Sequence, residues 1–205
     1  KSSRTYKKKF DFYTFDEFQK FLGVIELNED KLMFSLLFYY GLRCGELRAL
    51  KVSDFKSDRV SINKELTNKA RLSGQKVLDP KTSSSFRDYP LLDNISYLFN
   101  LVVKEKKLKV NDFVFKSSFS KVIGETSIRR KVEEYSKKAG LRVIKIHEFR
   151  HSCASYLINK DVDPKDIASW LGHSSVDTTL RVYAHLLPVR KDFIKEVFKK
   201  EKINK

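Results

Sequence analysis

The stretch from Leu32 to Leu42, LMFSLLFYYGL, limits the fold more than any other. Leu32, Phe34, Leu36, Leu37, Phe38 and Tyr40 leave almost no polar face, whereas a surface helix keeps one. The pattern predicts a helix buried on all sides, beginning near Asp30 and ended by Gly41, with other helices packed round it. The run is far too short to span a bilayer, and no membrane partner is expected. The 205 residues suffice for one domain with a sizeable core, or for two small ones. A hydrophobic share of 41% with 13% aromatics marks a chain that folds.

Before this helix, Thr14 and Glu17 form a capping-box pattern for a first helix whose apolar face is Phe15, Phe18, Phe21, Leu22 and Ile25. After it, GLRCGELRALKVSDF reads as a tight turn and a short helix carrying Arg43, Glu46 and Leu47. From Arg59 the period changes to that of strands. RVSIN, QKVLDPKT and FRDYPL predict a small three-stranded antiparallel sheet, with Lys81 at the end of its second strand. Helical spacing returns at Leu91, Leu92, Ile95, Leu98, Phe99 and Val102. A basic amphipathic helix follows from about Ser127 to Ala139, with Gly140 as its stop. HEFRHSCASYL predicts a helix to about Asn159, and Asp163 with Pro164 opens the next, which Gly172 ends. A last short helix from Ser174 or Ser175 delivers Tyr183. The fold class expected is mixed α+β, mainly helical.

A net charge of +16, from 42 Lys and Arg against 26 Asp and Glu, is spread along the chain and implies a polyanionic partner, nucleic acid before membrane. Cys44 and Cys153 lie in apolar helical patterns, which suits reduced thiols in a cytoplasmic protein. The opening KSSRTYKKKF has no apolar segment behind it, as a secretion signal would.

Chemistry concentrates in HEFRHSCASYL and in IASWLGHSSVDTTLRVYAHL. Phosphoryl transfer on a polyanion needs a nucleophile, cations against the non-bridging oxygens, and an acid for the leaving oxygen. Arginine suits the second task because its planar fork grips two oxygens and keeps its charge. Lysine or histidine can move the proton, and a tyrosine hydroxyl can attack. HEFRH also matches the zinc-protease pattern HExxH, with His173 or His185 as the simplest third ligand. That alternative leaves the net charge and Arg150 unexplained, so neither a metal nor another cofactor is expected.

Five segments in order resemble the catalytic domain of the tyrosine site-specific recombinases, the phage and transposon integrase family, over about residues 13–190. GLRCGEL resembles the first arginine box, DPKTSSSFRDYPL the β-hairpin lysine segment and HEFRHSCASYL the His-x-x-Arg box. LGHSS resembles the box of the phosphate-contacting histidine, and TTLRVYAHL the nucleophile segment. Cys44 departs slightly, standing where another small or aliphatic residue is expected. The resemblance implies a DNA breaking-rejoining domain in which Arg43 and Arg150 clamp the scissile phosphate and Glu46 supports Arg43. Lys81 would protonate the leaving 5′ oxygen, and His147 would position the phosphate and accept the tyrosine proton. His173 would add a hydrogen bond, His151 would support, and Tyr183 would form a covalent 3′-phosphotyrosine link.

Arg87, beside the Lys81 hairpin, and Arg129, Arg130 and Lys131 are candidate contacts to DNA backbone phosphates. The resemblance further implies double-stranded attachment-site DNA as substrate, a homo-tetramer on two sites, and accessory DNA-bending or directionality factors. It makes residues 1–12 a linker from a core-binding domain, 13–190 the catalytic domain, and 191–205 a tail helix. The tail's Phe193, Ile194, Val197 and Phe198 would pack on a neighbouring protomer, or back on their own chain in an isolated fragment. Integration and excision of a mobile element, in a bacterial or phage setting, is the expected role. Chromosome-dimer resolution and type IB topoisomerase action would use the same chemistry. A binding-only DNA module would form no covalent adduct.

Overall fold

The computed structural model describes residues 11–66, 77–78, 86–117 and 122–183. Among them α2 (Asn28–Tyr39) is the hub, with Leu32 to Phe38 buried without interruption. It packs against α4 (Asp93–Lys106) and α6 (Glu148–Asn159), and touches α1 (Phe15–Gly23) and α3 (Cys44–Ala49). The all-round apolar surface read in the sequence is thus used on every side. Aromatic rings fill the junction of α1, α2 and α6. Phe18 stacks on Phe38 at 3.8 Å, and Phe21, Phe34 and Phe149 interlock at 4.9–5.5 Å.

Helix boundaries follow local chemistry. Thr14 accepts from the Glu17 N–H at 3.2 Å and Glu17 returns a bond to the Thr14 N–H, closing the expected capping box. Asp163 accepts from the Lys165 N–H at 2.7 Å ahead of α7 (Pro164–Leu171), with Pro164 in the first turn. Ser175 accepts from the Asp177 N–H before α8 (Val176–Tyr183). The basic helix α5 spans Glu125–Lys138 and turns its buried Ile128, Val132 and Tyr135 inward.

The sheet differs from the expected three strands. β1 (Arg59–Ile62) pairs antiparallel with β4 (Arg87–Pro90), in the register Val60 to Tyr89 and Ile62 to Arg87. β2 (Glu65–Leu66) pairs with β3 (Val77–Leu78), giving two two-stranded ladders among the described residues. Among the described residues Arg59–Ile62 therefore pairs with Arg87–Pro90, while Val77–Leu78 pairs with Glu65–Leu66. β2 follows β1 after two residues and pairs with Val77–Leu78, so one stretch of chain serves two neighbours. Lys81, His185 and the tail stripe lie outside the described residues, as do 1–10 of the expected linker.

The N-terminal entry is fastened to the far end of the fold. Tyr13 donates its N–H to Ser152 Oγ on α6 at 2.9 Å and its hydroxyl to the Arg142 carbonyl at 2.6 Å. Arg142 in turn bonds Asp11, Glu17 and the Phe12 carbonyl. No described helix is long and apolar enough to cross a membrane.

Candidate active site

Gly41 makes the turn between α2 and α3 in the left-handed region, at φ +57°. A Cβ there would stand 2.4 Å from Leu171 Cδ2, so the turn closes against α7 only as glycine. Arg43 then caps α3, and Glu46, one turn on, accepts from both its N–H and its guanidinium at 2.8 and 2.7 Å. The Arg43 guanidinium also donates to the Gly172 carbonyl at 3.1 Å, binding the first arginine box to the histidine turn.

Glu46 is 3% exposed and holds a second cation. Arg87 from β4 reaches it at 2.8 Å with its own side chain 7% exposed. Burial alone would raise the Glu46 carboxyl, but Arg87 and Arg43 outweigh it and hold the group below the usual carboxylate range.

Arg150 rises from the first turn of α6 into the same region, 2% exposed. One amino group donates to the Gly41 carbonyl at 2.8 Å, while its Nη2 is buried with no hydrogen-bond partner. Burial, then repulsion from Arg43, lowers its pKa to about 10. Arg43 and Arg87 thus share the Glu46 carboxylate, and Arg150 lies within the field of all three.

Gly172 ends α7 at φ +66°, and the His173 N–H returns to the Ala168 carbonyl at 2.9 Å. His173 Nδ1 meets the Thr179 hydroxyl on α8 at 2.7 Å. Burial, with Arg150, Arg43, Arg87 and His147 around it, lowers the imidazole to about 4, so the ring is neutral at pH 7.

Tyr183 is 3% exposed among Cys153, Ala154, Ile158, Ile167 and Leu171. Its hydroxyl lies 2.5 Å from His151 Nδ1, and burial raises its pKa above the usual phenol value. His147, expected to take the tyrosine proton, is instead the exposed N-cap of α6, its ring edge-on to His151 with centroids 5.0 Å apart. The Tyr183 hydroxyl thus rests against His151, the residue given a supporting role by the resemblance. One turn of helix carries His151 toward α8, while the cap position leaves His147 at the surface.

The other candidates separate. Arg87 ion-pairs with Glu46 at 2.8 Å with its side chain 7% exposed. Lys131 ion-pairs at 2.6 Å with the fully buried Asp30, which also accepts from Tyr135. Arg129, bridged to Glu125 at 3.5 Å, lines a cavity of about 570 Å³ that reaches His147, and Arg130 is exposed. Thr179 was missed by the sequence reading, although its i,i+4 spacing to Tyr183 places both on one face of α8. Tyr89 and Trp170, which floor the site, carry no such signal.

The fold is that of the catalytic domains of tyrosine recombinases and phage integrases. A model of the phage integrase family matches residues 11–190, and the chain belongs to that family. It is 32% identical over 196 residues to the ICEBs1 integrase of Bacillus subtilis (strain 168), covering 89% of this chain and 52% of that protein. It is 26% identical over 201 residues to a XerC-like tyrosine recombinase of Caldanaerobacter subterraneus subsp. tengcongensis, covering 86% and 50%. The chain thus spans about half the length of these curated relatives. Among solved structures, the Tn1549 transposon integrase in complex with circular intermediate DNA superposes with a TM-score of 0.72 at 22% identity, covering 91% of this chain and 64% of that one. The catalytic domain of bacteriophage HP1 integrase gives 0.58 at 19%, covering 94% and 95%.

Proposed function

We infer that this chain is the catalytic part of a site-specific recombinase that cuts and rejoins duplex DNA through a covalent 3′-phosphotyrosine, integrating and excising a mobile element. The observation that carries this is the convergence of Arg43, Arg150, His173 and Tyr183, from four separate elements, round one under-neutralised cationic centre. The mobile-element role is supported by likeness to the ICEBs1 integrase, and DNA as substrate by the Tn1549 complex.

In this reading Arg43 and Arg150 grip the non-bridging oxygens, and preorganised donors of that kind are commonly the largest catalytic contribution. With the Thr179 hydroxyl donating to Nδ1, the neutral His173 keeps its proton on Nε2 and offers it to the phosphate. Tyr183 loses its proton to His151, with His147 next in line, and attacks phosphorus. Because the tyrosine is almost wholly enclosed, α8 shifts outward as DNA seats. Lys81 delivers a proton to the departing 5′ oxygen. The 5′ hydroxyl of a partner strand then attacks the phosphotyrosine, conserving bond energy without ATP. Residues 13–190 form the catalytic domain, with a core-binding domain ahead of it and a tail that joins protomers into a tetramer on two sites.

The test is a nicked duplex bearing an attachment site, incubated with the full-length protein in chelator and then SDS. Wild type should trap a covalent adduct that Tyr183→Phe does not. Adduct from both would move the nucleophile elsewhere, and tight binding without adduct from either would favour a binding-only module.

A further inference from the structure

Arg87 stands outside the expected reacting set, yet its side chain is buried and bonded along two edges. Its Nη2 donates to Glu46 at 2.8 Å and its Nε to the Tyr89 hydroxyl at 2.8 Å. Tyr89 passes the connection on, bonding the Trp170 carbonyl and lying 3.2 Å from the Tyr40 carbonyl. Tyr89 also stacks on Tyr40 at 4.8 Å and meets Trp170 edge-on at 4.7 Å. Nη1, buried without a hydrogen-bond partner, presses on Gly172 so closely that a Cβ there would lie 1.7 Å away. One guanidinium therefore touches the carboxylate that orients Arg43, the aromatic floor under Gly41, and the turn that presents His173.

Resting on the strand-transfer reading above, we propose that Arg87 is a positioning residue that sets Glu46, and through it Arg43 and the Gly172–His173 turn, in cleavage geometry without touching DNA. The physical reason is planarity. A guanidinium can bond a carboxylate along one edge and a phenol along another while lying flat on a glycine, which a lysine ammonium cannot. Glu46 is the group most exposed to its loss. It faces Arg43 from its own helix, Arg87 and Tyr89 from β4, and Arg150 from α6, with the Asp54–Lys64 ion pair lining a small cavity beside it. Without Arg87 the burial of Glu46 would be opposed chiefly by Arg43, and the carboxyl would take up a proton at higher pH.

The experiment uses single-turnover cleavage of the nicked duplex by the full-length protein at saturating DNA, with binding measured separately against salt. Arg87→Gln should cleave about 10- to 100-fold more slowly, the scale of a misplacement of about 1 Å. Its affinity and salt slope should match wild type, whereas a lost phosphate contact would flatten the log–log slope by about 0.9. The rate ratio of Arg87→Gln to wild type should also fall further as pH drops, because Glu46 protonates. Arg87→Lys keeps charge against Glu46, so it should be slow without that added acid sensitivity. If Arg87→Gln fails to fold by circular dichroism, Arg87→Lys carries the test through its rate. Wild-type rates in the folded variants, or a flattened salt slope, would overturn the positioning role alone. A wild-type protein that traps no adduct would overturn the strand-transfer reading beneath it.

Discussion

Replacing Arg150 by methionine should leave the DNA-free protein as stable as wild type or more so, while abolishing cleavage. The residue is 2% exposed, and its surroundings lower its pKa from 12.5 to about 10. That drop corresponds to about 3 kcal/mol by which the folded protein disfavours the charge it must carry. Against this stands one bond to the Gly41 carbonyl, whose loss leaves a buried acceptor unsatisfied at a cost of about 1–3 kcal/mol. Methionine fills much of the volume with a flexible apolar chain. The balance is between about 0 and 2 kcal/mol in favour of the variant, a rise in Tm of up to about 8 °C for a domain of this size. Thermal unfolding in a buffer free of polyvalent anions measures it. Added inorganic phosphate should then stabilise wild type more than the variant, since the variant has lost the unsatisfied Nη2 of Arg150. A loss of more than about 2 kcal/mol in Arg150→Met would refute the reasoning, because the arginine would then be a net structural asset.

Three further outcomes follow from the same centre. Gly172→Ala should lose about 1–2 kcal/mol to the left-handed backbone alone, and more as Arg87 is pushed aside, seen as a lower urea midpoint together with slower cleavage. His173, lowered to about 4 by burial and its cationic neighbours, holds fewer protons folded than unfolded between that value and about 6.5. Stability should therefore fall as pH is lowered through that window. A bound phosphate would oppose the lowering, so DNA binding near pH 5.5 should take up a proton. Calorimetry in two buffers of different ionisation enthalpy would detect the uptake, and His173→Gln should lack it.

Much of this protein is legible in one dimension. The all-round apolar run from Leu32 dictates a central helix because no polar stripe is left to face water. Thr14 with Glu17, Asp163 with Pro164, and Gly172 mark helix ends because capping is a contact between residues a few positions apart. The five segments carry the resemblance to the integrase family because each is a short run of residues read in order. Tertiary packing decided what spacing cannot. His147 and His151 are one helical turn apart and equivalent in sequence, but the packed helices set the Tyr183 hydroxyl against His151 Nδ1. Arg87 and Lys131 read as two more cations on a +16 chain, until buried carboxylates 41 and 101 positions away claim them. The same holds for β1, which pairs across the hairpin with FRDYP because its backbone donors are satisfied by whichever strand the core brings alongside. Capping and periodicity act within a few residues, whereas the choice of partner for a buried charge or a strand edge is made only when distant parts of the chain meet.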